Sequence, residues 1–255
     1  MVANAIQSVL SLFILMGTGY YITGKSWFGE KGSDVFCKYA AFVAIPCYMV
    51  YNMITTCPTP QALLDIVRYL PIPMGSMLLM FMLGLLLAKV FQIAPGRRGV
   101  FINGITCSNV VLIGFPVIAG LFGDQAIPLG MVYYTSNTLL FWTLGTYLLR
   151  KDGGQQARFF TWENLKKFFS LPILGLLLGA ALVLLGVTLP KFLFTSLEKI
   201  SQTTTPVALM FIGSILRMTD FKKLKLTKDL LIIILARTVI APVFMALLCI
   251  ALPIS

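Results

Sequence analysis

The chain has 255 residues, 58% of them hydrophobic and 11% charged, with 20 Lys and Arg against 9 Asp and Glu, a formal net charge of +11, and no histidine. A mean hydropathy of +0.90 excludes an ordinary soluble domain and marks an integral membrane protein. The positive charge falls in loops between hydrophobic runs, which is the footprint of membrane topology and not of a nucleic-acid-binding face.

The first residues, M-V-A-N-A-I-Q, lack the basic start of a signal peptide and lead straight into apolar sequence, so an uncleaved first span is expected. With about twenty apolar residues needed to cover the hydrocarbon core, the chain divides into eight spans, at 4–24, 35–54, 69–91, 100–122, 126–149, 169–189, 200–217 and 229–253. With the N-terminus outside, sixteen of the 20 basic residues, from Lys25 to Lys228, lie on inner loops and helix ends. Arg68, Lys191 and Lys199 lie outside, and Arg237 falls within a span. The positive-inside rule therefore predicts that orientation in a cell inner or plasma membrane, with the 150–168 connection cytoplasmic. That connection carries F-F-T-W-E-N-L-K-K-F, which suits either a short interfacial helix or a linker with an aromatic belt.

The fourth stretch, from Asn103 to Asp124, is apolar enough to span, yet holds Asn103, Asn109, Gly114, Pro116, Gly120 and Gly123. Proline has no N–H and its ring crowds the carbonyl of Leu112, so a break or kink is expected at Pro116. Backbone groups freed at mid-membrane need protein or a water-filled cavity around them, which makes a broken helix a candidate binding site. The half-helix from Val117 to Gly123 would then turn its positive end toward an anion.

A weak internal repeat accompanies a shift of roughly 160 residues. Gly17 and Gly24 fall on Gly179 and Gly186, and A-I-P at Ala44–Pro46 falls on T-T-P at Thr204–Pro206. The two units would be inverted, as in many secondary transporters. The counterpart of the broken stretch would lie beyond Ser255.

The stretch S-N-V-V-L-I-G-F-P-V-I-A-G-L-F-G-D, Ser108 to Asp124, resembles the fourth-helix signature of the auxin efflux carrier family. That family includes plant PIN proteins and bacterial organic-anion permeases for dicarboxylates such as malate and malonate. The A-I-P of the second span, N-T-L-L-F-W-T-L of the fifth and the basic loop after it are similar in order and spacing. The resemblance implies an all-α integral membrane protein of the ten-helix, inverted-repeat fold shared with bile-acid symporters, in which broken fourth and ninth helices cross at the substrate. On this chain it implies a first five-helix repeat over 1–149, the 150–168 loop, and a second repeat of three helices over 169–255, without the last two helices. By position it carries the site to Asn109, Ile113, Gly114 and Pro116, to Ile45 and Pro46, and to Asn137.

The residues themselves support anion chemistry without deciding each role. Asn109 offers an amide able to hold a carboxylate or to join helices. Asn137 faces the same choice. Thr205 and Pro206, within T-T-T-P, could add hydroxyls or freed carbonyls. Arg237 lies about 12 Å inside its span by helical rise and either meets substrate, finds a buried partner or snorkels. No acid falls at a span centre, so an uncoupled or weakly coupled carrier is expected unless carbonyls alone hold a cation. The five cysteines include no C-x-x-C pair, so neither a disulfide nor zinc is expected; no other metal and no cofactor is expected. The expected partners are a small organic anion and the lipid bilayer, with a homodimer as an option and no nucleic acid. The leading function is a permease for small organic anions working by alternating access. A sodium-coupled bile-acid-type symporter and a truncated, non-transporting membrane protein are the alternatives. An enzyme is not expected, because a chain without histidine cannot assemble a Ser-His-Asp triad.

Overall fold

A computed structural model of the chain describes residues 2–25, 27, 32–154, 162, 169–221 and 226–251. The expected interfacial segment of the 150–168 loop lies almost wholly outside the described residues. Among those described, every regular element is helical. Helix occupies each of the apolar stretches picked out above, and four helical runs are long and apolar enough to cross a membrane: Gly32–Thr56, Pro60–Val90, Arg98–Phe122 and Lys228–Ala251. Two shorter apolar helices lie at Val9–Gly24 and Leu171–Leu184. Outward-facing Phe13, Ile14, Phe42, Met82, Leu86 and Val243 would be a liability in water, but they suit a lipid surround.

The chain forms two compact units. One comprises Met1–Asp65, Asn109–Met131 and Ser170–Phe221; the other comprises Ile66–Ser108, Val132–Phe169 and Lys222–Ser255. In the first unit, helix α1 (Val2–Gly24) leads to α2 (Gly32–Tyr39) and α3 (Ile45–Thr56). In the second, α4 (Pro60–Val67) runs in from the first unit ahead of α5 (Pro71–Val90) and α6 (Arg98–Thr106). The chain returns to the first unit for α7 (Phe115–Phe122), and α8 (Ile127–Leu140) passes back to α9 (Thr146–Asp152). The first unit is completed by α10 (Leu171–Leu184), α11 (Lys191–Gln202) and α12 (Thr204–Met218); the second is completed by α13 (Lys228–Leu235) and α14 (Ala241–Ala251).

Small residues let helices of the first unit touch backbone to backbone, as van der Waals packing in lipid requires. A Cβ on Gly19 would strike the carbonyl of Met210, and one on Gly213 would strike that of Met16, so α1 lies directly on α12. Gly175 meets the Pro46 carbonyl and Gly179 the Met53 side chain in the same way, setting α10 on α3. The second unit packs around Met80, Ala88, Phe101, Ile102, Ile105 and Ala236, with Gly84 against Ile102 and Gly104 against Ile233.

Prolines are absorbed by π-turns. Of the four π-turns among the described residues, those at Ala40–Ala44, Val110–Gly114 and Ala236–Ile240 each end two residues before a proline, Pro46, Pro116 and Pro242; the fourth is Phe141–Gly145. The wider turn carries its hydrogen bonds to the fifth residue back, as Gly114 N–H does to Asn109 C=O at 3.1 Å, and separates the proline ring from the preceding carbonyls. Pro116 is thereby held, fully buried, in the first turn of α7 without a break. The interruption predicted at Pro116 lies instead at Cys107–Asn109, where Cys107 is extended (φ −95°, ψ 147°) and Asn109 leaves helical geometry (φ −82°, ψ 79°).

Candidate functional site

The break frees backbone groups on both sides, and the question for each is where its hydrogen bonds go. In the second unit they go to two side chains, Arg237 and Asn137, with Tyr133 holding the Ser108 hydroxyl. Arg237, carried by the π-turn between α13 and α14, donates to the Ile105 carbonyl at 3.2 Å, to the Cys107 carbonyl at 2.7 Å and to Ser108 Oγ. A guanidinium there also meets the negative end of α6. Asn137 on α8 accepts from Ser108 N–H through Oδ1 at 2.8 Å and donates through Nδ2 to Ser108 C=O at 3.1 Å, so one amide replaces both missing backbone partners. Tyr133, one turn before Asn137 on the same face, shares a hydroxyl bond of 2.9 Å with Ser108 Oγ.

The other end of α6 is also held. Its Gly99 N–H donates to the Asp152 carboxylate at 2.5 Å, which places an acid at the positive end. Asn103, midway along, donates to Gly99 C=O and, at 3.1 Å, to Gly145 C=O. That amide joins helices, with both its N–H groups engaged.

In the first unit the second half of the broken span begins at Val110, not at Val117. Asn109 is its N-cap: Oδ1 accepts from Leu112 N–H at 3.2 Å, while the residue stays exposed and its Nδ2 has no partner among the described residues. Helix α12 packs on this π-turn and on the Ala40–Ala44 π-turn. The first unit therefore gathers Asn109, Ile113, Gly114 and Pro116, Ile45 and Pro46, and the first turn of α12 with Thr205 and Pro206. Ile45 and Pro116 are buried, whereas Ile113 is 44% exposed. Tyr48 packs its ring on Phe115 at 5.8 Å, and the hydroxyls of Tyr48 and Thr204 are buried with no hydrogen-bond partner among the described residues.

Asn137 and Arg237, the remaining residues carried from the sequence, both lie in the second unit and both serve Ser108. Reading the sequence missed Tyr133, Thr106 and Tyr48, and it included Thr204 only as part of T-T-T-P. Only Tyr133 left a clear signal, the four-residue spacing to Asn137 that puts both on one helix face. No group of three or more Cys, Asp or Glu able to hold a metal ion occurs among the described residues.

The family profile described as "Membrane transport protein" matches residues 4–255. A protein of Methanothermobacter thermautotrophicus described as an uncharacterized transporter is 27% identical over 215 residues, covering 81% of this chain and 66% of that protein. Another, from Methanocaldococcus jannaschii and described in the same words, is 24% identical over 213 residues, covering 80% of this chain and 67% of its own length. The matched stretch thus spans about two thirds of each relative.

Proposed function

The chain belongs to the membrane transport protein family, the auxin efflux carrier family that its fourth-span motif resembles, and from that premise we propose that it is a carrier of small organic anions. The observation that carries this reading is the second half of the broken span, whose positive end is capped by a single neutral, exposed amide, Asn109. Asn109 Oδ1 is occupied by Leu112 N–H, which leaves Nδ2 as a donor for a carboxylate. Ile45, Pro46, Ile113 and the first turn of α12 supply the apolar surround, and Thr205 supplies a hydroxyl.

In this reading the chain spans the bilayer eight times with its N-terminus outside, and access alternates around the broken helix. The stretches 1–149 and 169–255 are inverted repeats. The pairing within the first unit supports that symmetry: exchanging spans one and two with spans six and seven turns the contact of α1 with α12 into that of α10 with α3. A carrier without an acid at a span centre is uncoupled or weakly coupled.

The test is flux of radiolabelled malate, malonate and indole acetate into liposomes holding the chain. Asn109→Ala is expected to lose most of the flux while remaining folded. Equal flux in both proteins removes Asn109 from the mechanism, and uptake that needs sodium replaces the uncoupled carrier with a symporter.

A further inference from the structure

Arg237 poses a problem that its three hydrogen bonds leave unsolved. It stands well inside the run Lys228–Ala251, half-buried, and it has no carboxylate partner among the described residues. Carbonyl dipoles and a hydroxyl satisfy part of the guanidinium fork but do not cancel its charge, and an uncompensated charge in a span is costly. The fork has five N–H groups, so donors remain after Ile105, Cys107 and Ser108 are served.

Beside it, within the second unit, opens a cavity of about 270 Å³. Its polar lining is Arg237, Thr106, Tyr133 and Ser76, no acid among the described residues lines it, and Met77 and Met80 belong to its apolar wall. Thr106 is 4% exposed, and its hydroxyl has no hydrogen-bond partner among the described residues, not even the carbonyl one turn back that buried threonines in helices commonly use. A buried hydroxyl left unpaired costs about 1–3 kcal/mol. The cavity therefore presents a cation, an unpaired hydroxyl and two further hydroxyls.

We propose that this cavity is a binding site for a small anion, which neutralises Arg237 and accepts a hydrogen bond from Thr106. The volume suits a short carboxylate, or a halide with accompanying water. The site uses none of the residues around Asn109 and does not rest on the carrier reading: flux through liposomes tests Asn109, whereas equilibrium binding tests the cavity.

The experiment is calorimetric titration of the purified chain in detergent with sodium acetate and with sodium chloride, using acetamide as the uncharged control. The wild-type protein is expected to bind one or both anions saturably and acetamide not at all; which anion saturates identifies the source. Arg237→Gln is expected to abolish binding, but it also strips the helix break, so the deciding variant is Thr106→Val. Losing an unpaired hydroxyl does not hinder folding, and the variant is expected to bind the anion on the order of tenfold more weakly. Unchanged affinity in Thr106→Val, equal binding of acetamide, or no saturable binding of either anion overturns the proposal.

Discussion

The two halves of the broken span are treated in opposite ways. Helix α6 is closed at both ends by opposite charge, with Asp152 on its Gly99 N–H and Arg237 on the carbonyls of Ile105 and Cys107. The half that follows has, among the described residues, only the neutral amide of Asn109 capping its start, and it ends at Gly123 in left-handed geometry (φ 78°). Charge at a helix end contributes about 0.3–1 kcal/mol when exposed and up to roughly 2 kcal/mol when partly buried. One half is therefore anchored by its dipole, and the other keeps its positive end in reserve. A break in a membrane helix need not be symmetrical: one side can carry the stability and the other the recognition.

Four substitutions break or sharpen this contrast. The largest effect is expected from Arg237→Gln, which leaves the Ile105 and Cys107 carbonyls without their donor and Ser108 Oγ with Tyr133 alone. A loss of about 3 kcal/mol follows from unpaired buried acceptors, seen as a fall in the thermal midpoint of the purified protein, with Arg237→Lys recovering part of it. Next comes Asn137→Leu, which removes both bonds to Ser108 and should cost roughly 2 kcal/mol in the same assay. If either change leaves the midpoint untouched, α6 is not anchored as described. Asp152→Asn keeps the shape and removes the charge at the Gly99 N–H; about 1 kcal/mol is expected, shrinking in high salt. A loss independent of salt assigns the effect to hydrogen bonding alone. The smallest stability change, under about 1 kcal/mol, belongs to Asn109→Ala, because an exposed cap is a weak anchor. If that variant unfolds as readily as Arg237→Gln, the two halves do not differ.

Much of this arrangement is visible in the sequence, though not its most important detail. The apolar runs and basic loops locate the helices, because lipid demands about twenty apolar residues per crossing and the inner leaflet side collects Lys and Arg. That the fourth span is interrupted follows from its Asn, Gly and Pro content. Where it is interrupted does not, because Pro116 is accommodated by a π-turn and Cys107–Asn109 contains no residue that forbids helix. Asn109 could have been read as a cap from its type. The partners of Arg237 could not, since which carbonyls are freed depends on where the helix stops. For the same reason Asn137 stood between two roles in the sequence, and its bonds to Ser108 show only after folding.

The π-turn at Ala236–Ile240 has a consequence for how Arg237 is aimed. A helix advances about 100° around its axis per residue, so the surplus residue in that turn sets the phase between the stretch before it and the stretch after it. Removing one residue there would keep the residue types of the cavity lining, yet rotate Pro242 and Met245, which also line the cavity, by about a quarter turn relative to Leu235 and all that precedes it. The lining of the cavity beside Arg237 therefore depends on chain length within one turn as much as on residue identity.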